Sequence, residues 1–268
     1  MAARKEKRST FARPVMKLDR YPEAGSGGVD LSLFGKEGRT SYEAAMADIL
    51  KAYPAIGKGS GLTDKVVLVG DQNVGKTCLV LRYCEDTFWD NYKATIGVDF
   101  MWQRYLIQGI GFTLHLWDTA GQEKFRSLSQ AYYRGARACI AAFDLGVPES
   151  LEHCKHWVSE VKAENQQTFD TGDFCVFLVG CKADHYKVVD RKEAEKLANK
   201  IGAEYFEVSS KTEEGVKNLF ERVAVVLFER AITRAKEAMS RAEGTGPRAS
   251  KGVKLGASSA AASPYLCC

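Results

Sequence analysis

The chain has 268 residues, of which 45% are hydrophobic and 27% are charged, so it contains enough apolar material for one large domain or two small ones. Its longest apolar runs, such as FCVFLVG at 174–180, have the size of a β-strand and are far too short for a membrane span. The basic N-terminus has no apolar stretch behind it, so we predict no secretory signal and a cytosolic folded part.

The net charge of +4 is unevenly distributed along the chain. Residues 1–20 carry an excess of five basic residues and residues 229–268 an excess of four, so the body between them has a net charge of about −5. An acidic body argues against a nucleic-acid partner. Basic ends fit segments that lie near anionic lipid, although solvated tails explain the same charges equally well.

Residues 1–63 have the composition of an extension that is mostly flexible. Gly and Ser cluster at 23–28 and at 57–61, as they do in linkers. Between these clusters, apolar residues recur at helical spacing over 42–53 and stop at Pro54. This pattern predicts one short amphipathic helix that packs on the neighbouring domain.

Residues 64–240 alternate between strand and helix patterns, starting with the β-branched run KVVLVG at 65–70. Such alternation predicts an α/β domain with a mostly parallel sheet of six strands and helices on both faces. Two adjacent strand patterns, at 97–107 and 112–118, predict an antiparallel hairpin at the edge of that sheet. Residues 241–268 are rich in Gly, Ala and Ser, and we predict that they are disordered.

The segment GDQNVGKT at 70–77 matches a phosphate-binding loop in the required position between a strand and a helix. Gly70 and Gly75 let the backbone N–H groups point at phosphate, and the following helix adds its positive dipole end. We predict that Lys76 binds the β- and γ-phosphates and that the Thr77 hydroxyl binds Mg²⁺. Neighbours that complete the predicted nucleotide-contacting segment are Asn73, Val74 and Cys78.

The segment WDTAGQE at 117–123 follows the second hairpin strand. Asp118 comes at the end of this strand, where the water shell of Mg²⁺ needs a carboxylate. The Gly121 backbone N–H can approach a γ-phosphate without steric conflict. Gln122 has the right side chain to orient an attacking water, so it is the predicted catalytic residue.

With these motifs in place, the chain resembles the Ras superfamily and, within it, the Rab small GTPases. The segments YKATIGVDF (92–100) and LWDTAGQEKFRSLSQAYYRGA (116–136) are similar to the two switch regions of Rab proteins. The resemblance covers roughly residues 64–232 and implies the P-loop small G-protein fold. The segments CEDTFWDNYKATIGVDF and SLEHCKHW are also similar in sequence to the Rab subgroup numbered thirty-four and thirty-six.

The resemblance also implies roles for residues outside the phosphate loop. Thr95 would join Thr77 and Asp118 around Mg²⁺ and would contact the γ-phosphate. Phe88 would pack against the guanine ring. The remaining contacts to the base would come from Lys182, Asp184, Ser210 and Lys211.

Two positions depart from the family pattern. The family carries Asn where this chain has Cys181, and losing such a hydrogen-bonding group costs about 1–3 kcal/mol, which predicts faster nucleotide exchange. Asp184 still accepts from guanine N1–H and the exocyclic amine, so we expect guanine to be the base. Gln72 replaces a small residue, and its long side chain can disturb Gln122 and slow hydrolysis.

The chain ends in Cys267 and Cys268, after a tail with scattered basic residues. Behind a Rab-like domain this pair resembles a double geranylgeranylation site, and two lipid chains give stable anchoring. The resemblance then implies a GTP/GDP switch in vesicle trafficking on the cytoplasmic face of an endomembrane, cycling with the cytosol. It also implies an exchange factor, an activating protein, a prenyl-binding escort or dissociation inhibitor, and effectors as partners.

Alternatives to this interpretation come from different classes of function. A GTP-binding scaffold with little hydrolysis is compatible with Gln72. A P-loop kinase of small metabolites is disfavoured, because the positions for an acceptor-substrate site carry switch-like segments instead. A metal site at His153, Cys154 and His156 is also disfavoured, since no matching set of ligands recurs elsewhere.

Overall fold

The structure is a computed structural model that describes residues 16–18, 62–88, 95, 97–107, 110–121 and 131–244. The predicted helix at 42–53, the predicted catalytic residue Gln122 and the terminal pair Cys267 and Cys268 lie outside the described residues.

The described residues form a seven-stranded sheet in the order β1-β3-β4-β2-β5-β6-β7. In chain order the strands are β1 (Met16–Leu18), β2 (Leu62–Val69), β3 (Val98–Ile107), β4 (Ile110–Thr119), β5 (Ala138–Asp144), β6 (Cys175–Cys181) and β7 (Ala203–Glu207). Only β3 and β4 pair in antiparallel fashion, and every other pair is parallel. The mostly parallel sheet and its antiparallel hairpin are therefore confirmed.

Strand β1 is a seventh strand that the sequence pattern did not predict. It comes from the N-terminal extension and pairs with the last residues of β3, Met16 opposite Tyr105 and Leu18 opposite Ile107. As a result, β3 is not the outermost strand of the described sheet. The Tyr83 hydroxyl donates to Met16 Sδ at 3.1 Å, so this part of the extension contacts the domain. Three residues are too few to show the alternation on which strand prediction depends.

The helices in the described part of the chain are α1 (Lys76–Glu85), α2 (Pro148–Glu164), α3 (Gln166–Asp170), α4 (Arg191–Ile201) and α5 (Val216–Gly244). Their boundaries have local causes. Proline occupies the start of α2, the Asp190 side chain caps α4 by accepting from the Lys192 N–H, and Gly202 ends α4 with a φ of 70°. No helix in these ranges combines the length and the apolar composition that crossing a bilayer requires.

The core consists of two apolar layers, one on each face of the sheet. Along β2, Val66 and Leu68 face the layer that includes α1 and α5, whereas Val67 and Val69 face the layer that includes α2 and α4. This alternation with a period of two buries both faces, which is typical of a parallel sheet with helices on each side. The predicted arrangement of helices is confirmed.

Parallel pairing brings the carboxyl ends of β2, β4, β5, β6 and β7 to one edge of the sheet. The residues that follow these strands include most of the predicted site. Crevices at the carboxyl ends of strands are where open α/β sheets bind ligands. The fold therefore assembles, at one edge, segments that are more than 100 residues apart in the chain.

Candidate functional site

The phosphate-loop segment joins β2 to α1 and has a backbone that requires glycine. Gly70 and Gly75 have φ values of 136° and 111°, in the left-handed region. A Cβ atom on Gly70 would lie 2.1 Å from the carbonyl oxygen of Ala142, so no side chain fits there. The loop can therefore curl tightly, and the amino end of α1 opens directly from it.

Lys76 is buried across the inside of this loop. Its Nζ donates to the carbonyl oxygens of Gly70 at 2.7 Å and Asp71 at 2.8 Å. Burial lowers the pKa of Lys76, although the negative charges of Asp118 and, to a smaller extent, Asp71 act to raise it. A cation held at the amino end of a helix, inside a ring of backbone amides, suits the phosphates of a nucleotide.

Three oxygen-bearing side chains from separate segments meet beside Lys76. The Thr77 hydroxyl donates to Asp118 Oδ2 at 2.6 Å and lies 2.7 Å from the Thr95 hydroxyl. Asp118 is 2% exposed, and its Oδ1 has no hydrogen-bond partner among the described residues. Burial raises the pKa of Asp118 to about 6, although the hydrogen bond from Thr77 and the charge of Lys76 oppose the shift.

This cluster fits the predicted Mg²⁺. Hydroxyl and carboxylate oxygens are the ligands that Mg²⁺ prefers, and Mg²⁺ usually keeps part of its water shell beside phosphates. An unpartnered, buried carboxylate oxygen is costly unless a donor or a cation faces it. Thr77 and Thr95 are the candidate ligands, and Asp118 accounts for the charge and for bonds to metal-bound water.

The predicted base-binding residue Asp184 is fixed by the loop that follows β7. Its Oδ1 accepts from the Ser209 hydroxyl at 2.6 Å, and its Oδ2 lies 3.3 Å from His185 Nε2. Burial pushes the pKa of Asp184 upward, but the hydrogen bonds from Ser209 and the backbone outweigh it, so the pKa lies below its usual value. The carboxylate is therefore ionised and ready to accept from a base.

Two further contacts hold the predicted base-binding loops together. Lys182 adopts a φ of 61° and pairs with Asp144 Oδ2 at 2.7 Å. Arg82 on α1 donates from Nε to the carbonyl oxygen of Ser210 at 2.7 Å. The Ser210 backbone is thus tied to the helix that opens from the phosphate loop, so the loops for phosphate and base form one structure.

Known proteins match this chain over the same region. A model of the Ras family matches residues 65–229. The chain belongs to the Ras family. It is 49% identical over 170 residues to Ras-related protein Rab-34 of Rattus norvegicus, covering 62% of this chain and 64% of that protein. It is 46% identical over 182 residues to Ras-related protein Rab-36 of Homo sapiens, covering 66% of this chain and 67% of that protein.

The predicted resemblance to a Rab-type Ras-family protein of this subgroup is therefore confirmed. The match to Rab-34 spans less than two thirds of the length of that relative. In this Ras-family chain eight of the predicted site residues lie on one edge of the sheet or in the loops that follow it: Gly70, Gly75, Lys76, Thr77, Thr95, Asp118, Lys182 and Asp184.

For other predicted residues the structure gives the position and the burial, but no contact that bears on their predicted role. Val74 is buried, Asn73 and Lys211 are exposed, and Cys78 and Phe88 are half-buried. Asn73 shares the left-handed backbone of the phosphate loop, with a φ of 65°. Their nucleotide contacts stay predictions.

Cys181, the departure from the family pattern, ends β6 beneath the phosphate loop. It is 1% exposed, and its Cβ and Sγ lie 3.6 and 3.9 Å from the position that a Cβ on Gly75 would occupy. Burial raises the pKa of its thiol to about 12, so the group is neutral at physiological pH. The thiol fills space under the loop but offers it only a weak donor.

Gly121 lies against the other side of the phosphate loop. A Cβ there would be 2.5 Å from the carbonyl carbon of Asp71 and from the backbone N of Gln72, so only glycine permits this approach. The second departure, Gln72, is thus adjacent to the residue that immediately precedes Gln122. Its side chain is exposed at this junction.

Three aromatic side chains form a partly exposed cluster on the hairpin side of the domain. The rings of Phe100 and Trp117 meet edge to face with centroids 4.5 Å apart, and Tyr132 lies 5.9 Å from Trp117. Phe100 is half exposed, at 50%. These three residues lie in the two segments that are similar to the switch regions of Rab proteins, and partly exposed aromatic clusters are typical of protein-binding surfaces.

Ser209, Asp144 and Arg82 hold the predicted base-binding residues in place, and the sequence motifs did not predict these three residues. Ser209 stands next to Ser210 in VSSKT, and nothing in the sequence distinguishes a serine that binds through its side chain from one that binds through its backbone. Asp144 ends a strand at the same sheet edge as Asp118, and this position is a signal that could have identified it.

Proposed function

We propose that this chain is a Rab-type GTPase that binds GTP and GDP with Mg²⁺ and hydrolyses GTP slowly in the absence of an activating protein. The observation that carries the proposal is the cluster of Thr77, Thr95 and Asp118 beside Lys76. It places a candidate metal site and a phosphate-binding cation together at one edge of the sheet, and family membership supports the same chemistry.

Hydrolysis is the attack of water on the γ-phosphate, with GDP as the leaving group. Lys76 and the loop amides stabilise the negative charge that develops on the phosphate oxygens, and the Gly121 N–H can add to them. Gln122 positions the attacking water. Thr77, Thr95 and Asp118 would hold Mg²⁺, which would supply positive charge against the phosphates.

Guanine is selected by Asp184, whose ionised carboxylate accepts from N1–H and the exocyclic amine. Adenine offers an acceptor at N1, so it leaves the Asp184 carboxylate without a donor from the base, which is a strong basis for rejection. Ser209 supports this proposal because its hydroxyl donates to Oδ1 of the carboxylate and thereby restricts its orientation. Phe88 and Lys211 flank the ring, and the Ser210 backbone N–H reaches the guanine O6.

The switch would act in vesicle trafficking on the cytoplasmic face of an endomembrane. GTP orders the segments around Thr95 and Gly121, and the aromatic cluster then meets effectors; hydrolysis releases these segments. Geranylgeranyl groups on Cys267 and Cys268 would anchor the chain, with basic tail residues adding attraction to anionic lipid. An exchange factor, an activating protein and a prenyl-binding escort would complete the cycle.

A second candidate is a GTP-binding scaffold with little hydrolysis. It is favoured by the position of Gln72, whose backbone contacts Gly121, the residue that precedes Gln122 in the chain. A long side chain at this junction can displace the glutamine from the attacking water.

Single-turnover hydrolysis distinguishes the two candidates. The GTP-loaded protein is followed by phosphate release, alongside Gln122→Leu and Gln72→Ser. A switch GTPase should slow at least tenfold on Gln122→Leu, because the water loses its positioning group. Equal rates for the wild type and Gln122→Leu would refute the catalytic role of Gln122, and acceleration by Gln72→Ser would identify Gln72 as the cause of slow turnover.

A further inference from the structure

We propose that His153 is a positioning residue for the phosphate loop: it fixes Asp71 and, through Asp71, the placement of Lys76. The inference depends on the nucleotide binding proposed above and adds a residue from helix α2 that carries no assigned part in it. It rests on contacts between two segments that are more than 80 residues apart in the chain.

Both oxygens of the Asp71 carboxylate are held by α2. Trp157 donates from its indole Nε1 to Oδ1 at 2.8 Å, and His153 Nδ1 lies 2.6 Å from Oδ2. The spacing of four residues puts these two side chains on one face of the helix, which is the face that meets the loop. A carboxylate bound at both oxygens cannot rotate about its bond to Cβ, whereas one bound at a single oxygen can.

The backbone of the same residue carries two parts of the site. The carbonyl oxygen of Asp71 accepts from Lys76 Nζ at 2.8 Å, and its carbonyl group touches Gly121 so closely that a Cβ there would be 2.6 Å from the oxygen. A shift in the Asp71 peptide would therefore displace Lys76, the cation proposed to bind phosphate, and would also displace Gly121. Helix α2 restricts the position of this peptide through its hydrogen bonds to the Asp71 carboxylate.

His153 and Trp157 differ in how firmly they hold Asp71. Trp157 is 4% exposed and packs in the core layer of α2 and α4, so its contribution is fixed by the fold. The His153 side chain is 59% exposed and contributes little to that core. Substituting it can therefore loosen the phosphate loop without disturbing the packing of the domain.

The test measures release of a fluorescent GDP analogue from the full-length protein, with Mg²⁺ present and excess unlabelled GDP. Removing one hydrogen bond to the carboxylate in His153→Ala should speed release about three- to tenfold. His153→Asn should restore a rate within about twofold of the wild type, because its Nδ2 can donate from nearly the position of the imidazole Nδ1.

The same helix offers a matched control in His156, which is similarly exposed at 56% and pairs with Glu160 rather than with the loop. His156→Ala should leave release unchanged, and melting temperatures of all variants should stay close to that of the wild type. A further variant, His153→Asp, places a like charge beside Asp71 and should also release GDP faster than the wild type.

The outcomes separate this inference from the function on which it depends. Equal release from His153→Ala, His153→Asp and His156→Ala overturns the positioning role, as does failure of His153→Asn to recover the wild-type rate. A wild-type protein that binds no GDP refutes the proposed nucleotide site itself. Faster release from the two disruptive His153 variants together with recovery by Asn establishes the role.

Discussion

Replacing Asp118 with Asn should stabilise the protein in the absence of Mg²⁺ and nucleotide. The carboxyl is 2% exposed and its pKa is raised to about 6 from 3.8, mainly by burial. A shift of about two units corresponds to about 3 kcal/mol, because each unit is worth about 1.4 kcal/mol. Asn keeps an oxygen that can accept from Thr77 but never becomes charged, so the substitution removes this burial cost.

The sign follows from proton linkage. The folded protein keeps the Asp118 proton to a higher pH than the unfolded chain does, so this group contributes stability below pH 4 that is lost as the pH rises through about 6. At pH 7.5 the cost is present in full. We expect Asp118→Asn to raise the free energy of unfolding by about 1–3 kcal/mol there, or the melting temperature by roughly 3–8 °C for a domain of this size.

Thermal denaturation at pH 7.5 in EDTA measures the stability of the variant without ligands. The same measurement with Mg²⁺ and GDP shows how much stability the ligands add. In EDTA the variant should melt above the wild type, and with Mg²⁺ and GDP it should gain less stability than the wild type does. Asp99, which pairs opposite Asp118 across the hairpin, adds to the raised pKa of Asp118 through its like charge, so Asp99→Asn should stabilise the protein in the same direction by a smaller amount. A variant that melts below the wild type in EDTA would refute the reasoning, because it would mean that the charged form is not the costly one.

Three further predictions follow from the contacts around the site. Cys181→Asn should slow GDP dissociation about ten- to hundredfold by restoring a hydrogen-bonding group under Gly75, measured by release of fluorescent GDP; an unchanged rate would contradict the assigned cost of the thiol. Ser209→Ala should weaken GDP affinity about tenfold or more, measured by titration, because Asp184 loses a 2.6 Å donor; unchanged affinity would show that the donor is dispensable. Met16→Ala should lower the free energy of unfolding by roughly 1 kcal/mol, since this side chain is half-buried and contacts Tyr83; denaturant unfolding unchanged from the wild type would show that β1 contributes nothing to stability.

The features that the sequence predicted correctly are those whose information is local. The phosphate loop is eight consecutive residues whose glycines, lysine and threonine each have one physical role, so its position and geometry follow from the motif alone. The strands and helices of the domain are long enough to show their periods. The motif and the order of strands and helices together imply which loops meet at the carboxyl edge of the sheet. They therefore predict that Lys76, Asp118 and Asp184 lie at that same edge.

The features that the sequence did not predict depend on pairing between distant residues. Asp71 and His153 are 82 positions apart, and neither residue by itself indicates a hydrogen bond to the other. Strand β1 is three residues long and gains its structure from the edge of β3, not from its own pattern. Ser209 and Ser210 differ in role only because the loop turns one side chain towards Asp184.

The central claim is that this chain reads guanine nucleotides although Cys181 replaces the usual asparagine. Its most direct test is displacement of a fluorescent GDP analogue from the full-length protein with Mg²⁺, by GTP in one series and by ATP in the other. The account predicts displacement by stoichiometric GTP and none by a hundredfold excess of ATP, because Asp184 alone supplies the discrimination. Equal displacement by both nucleotides would contradict it and would remove the basis for a guanine-nucleotide switch.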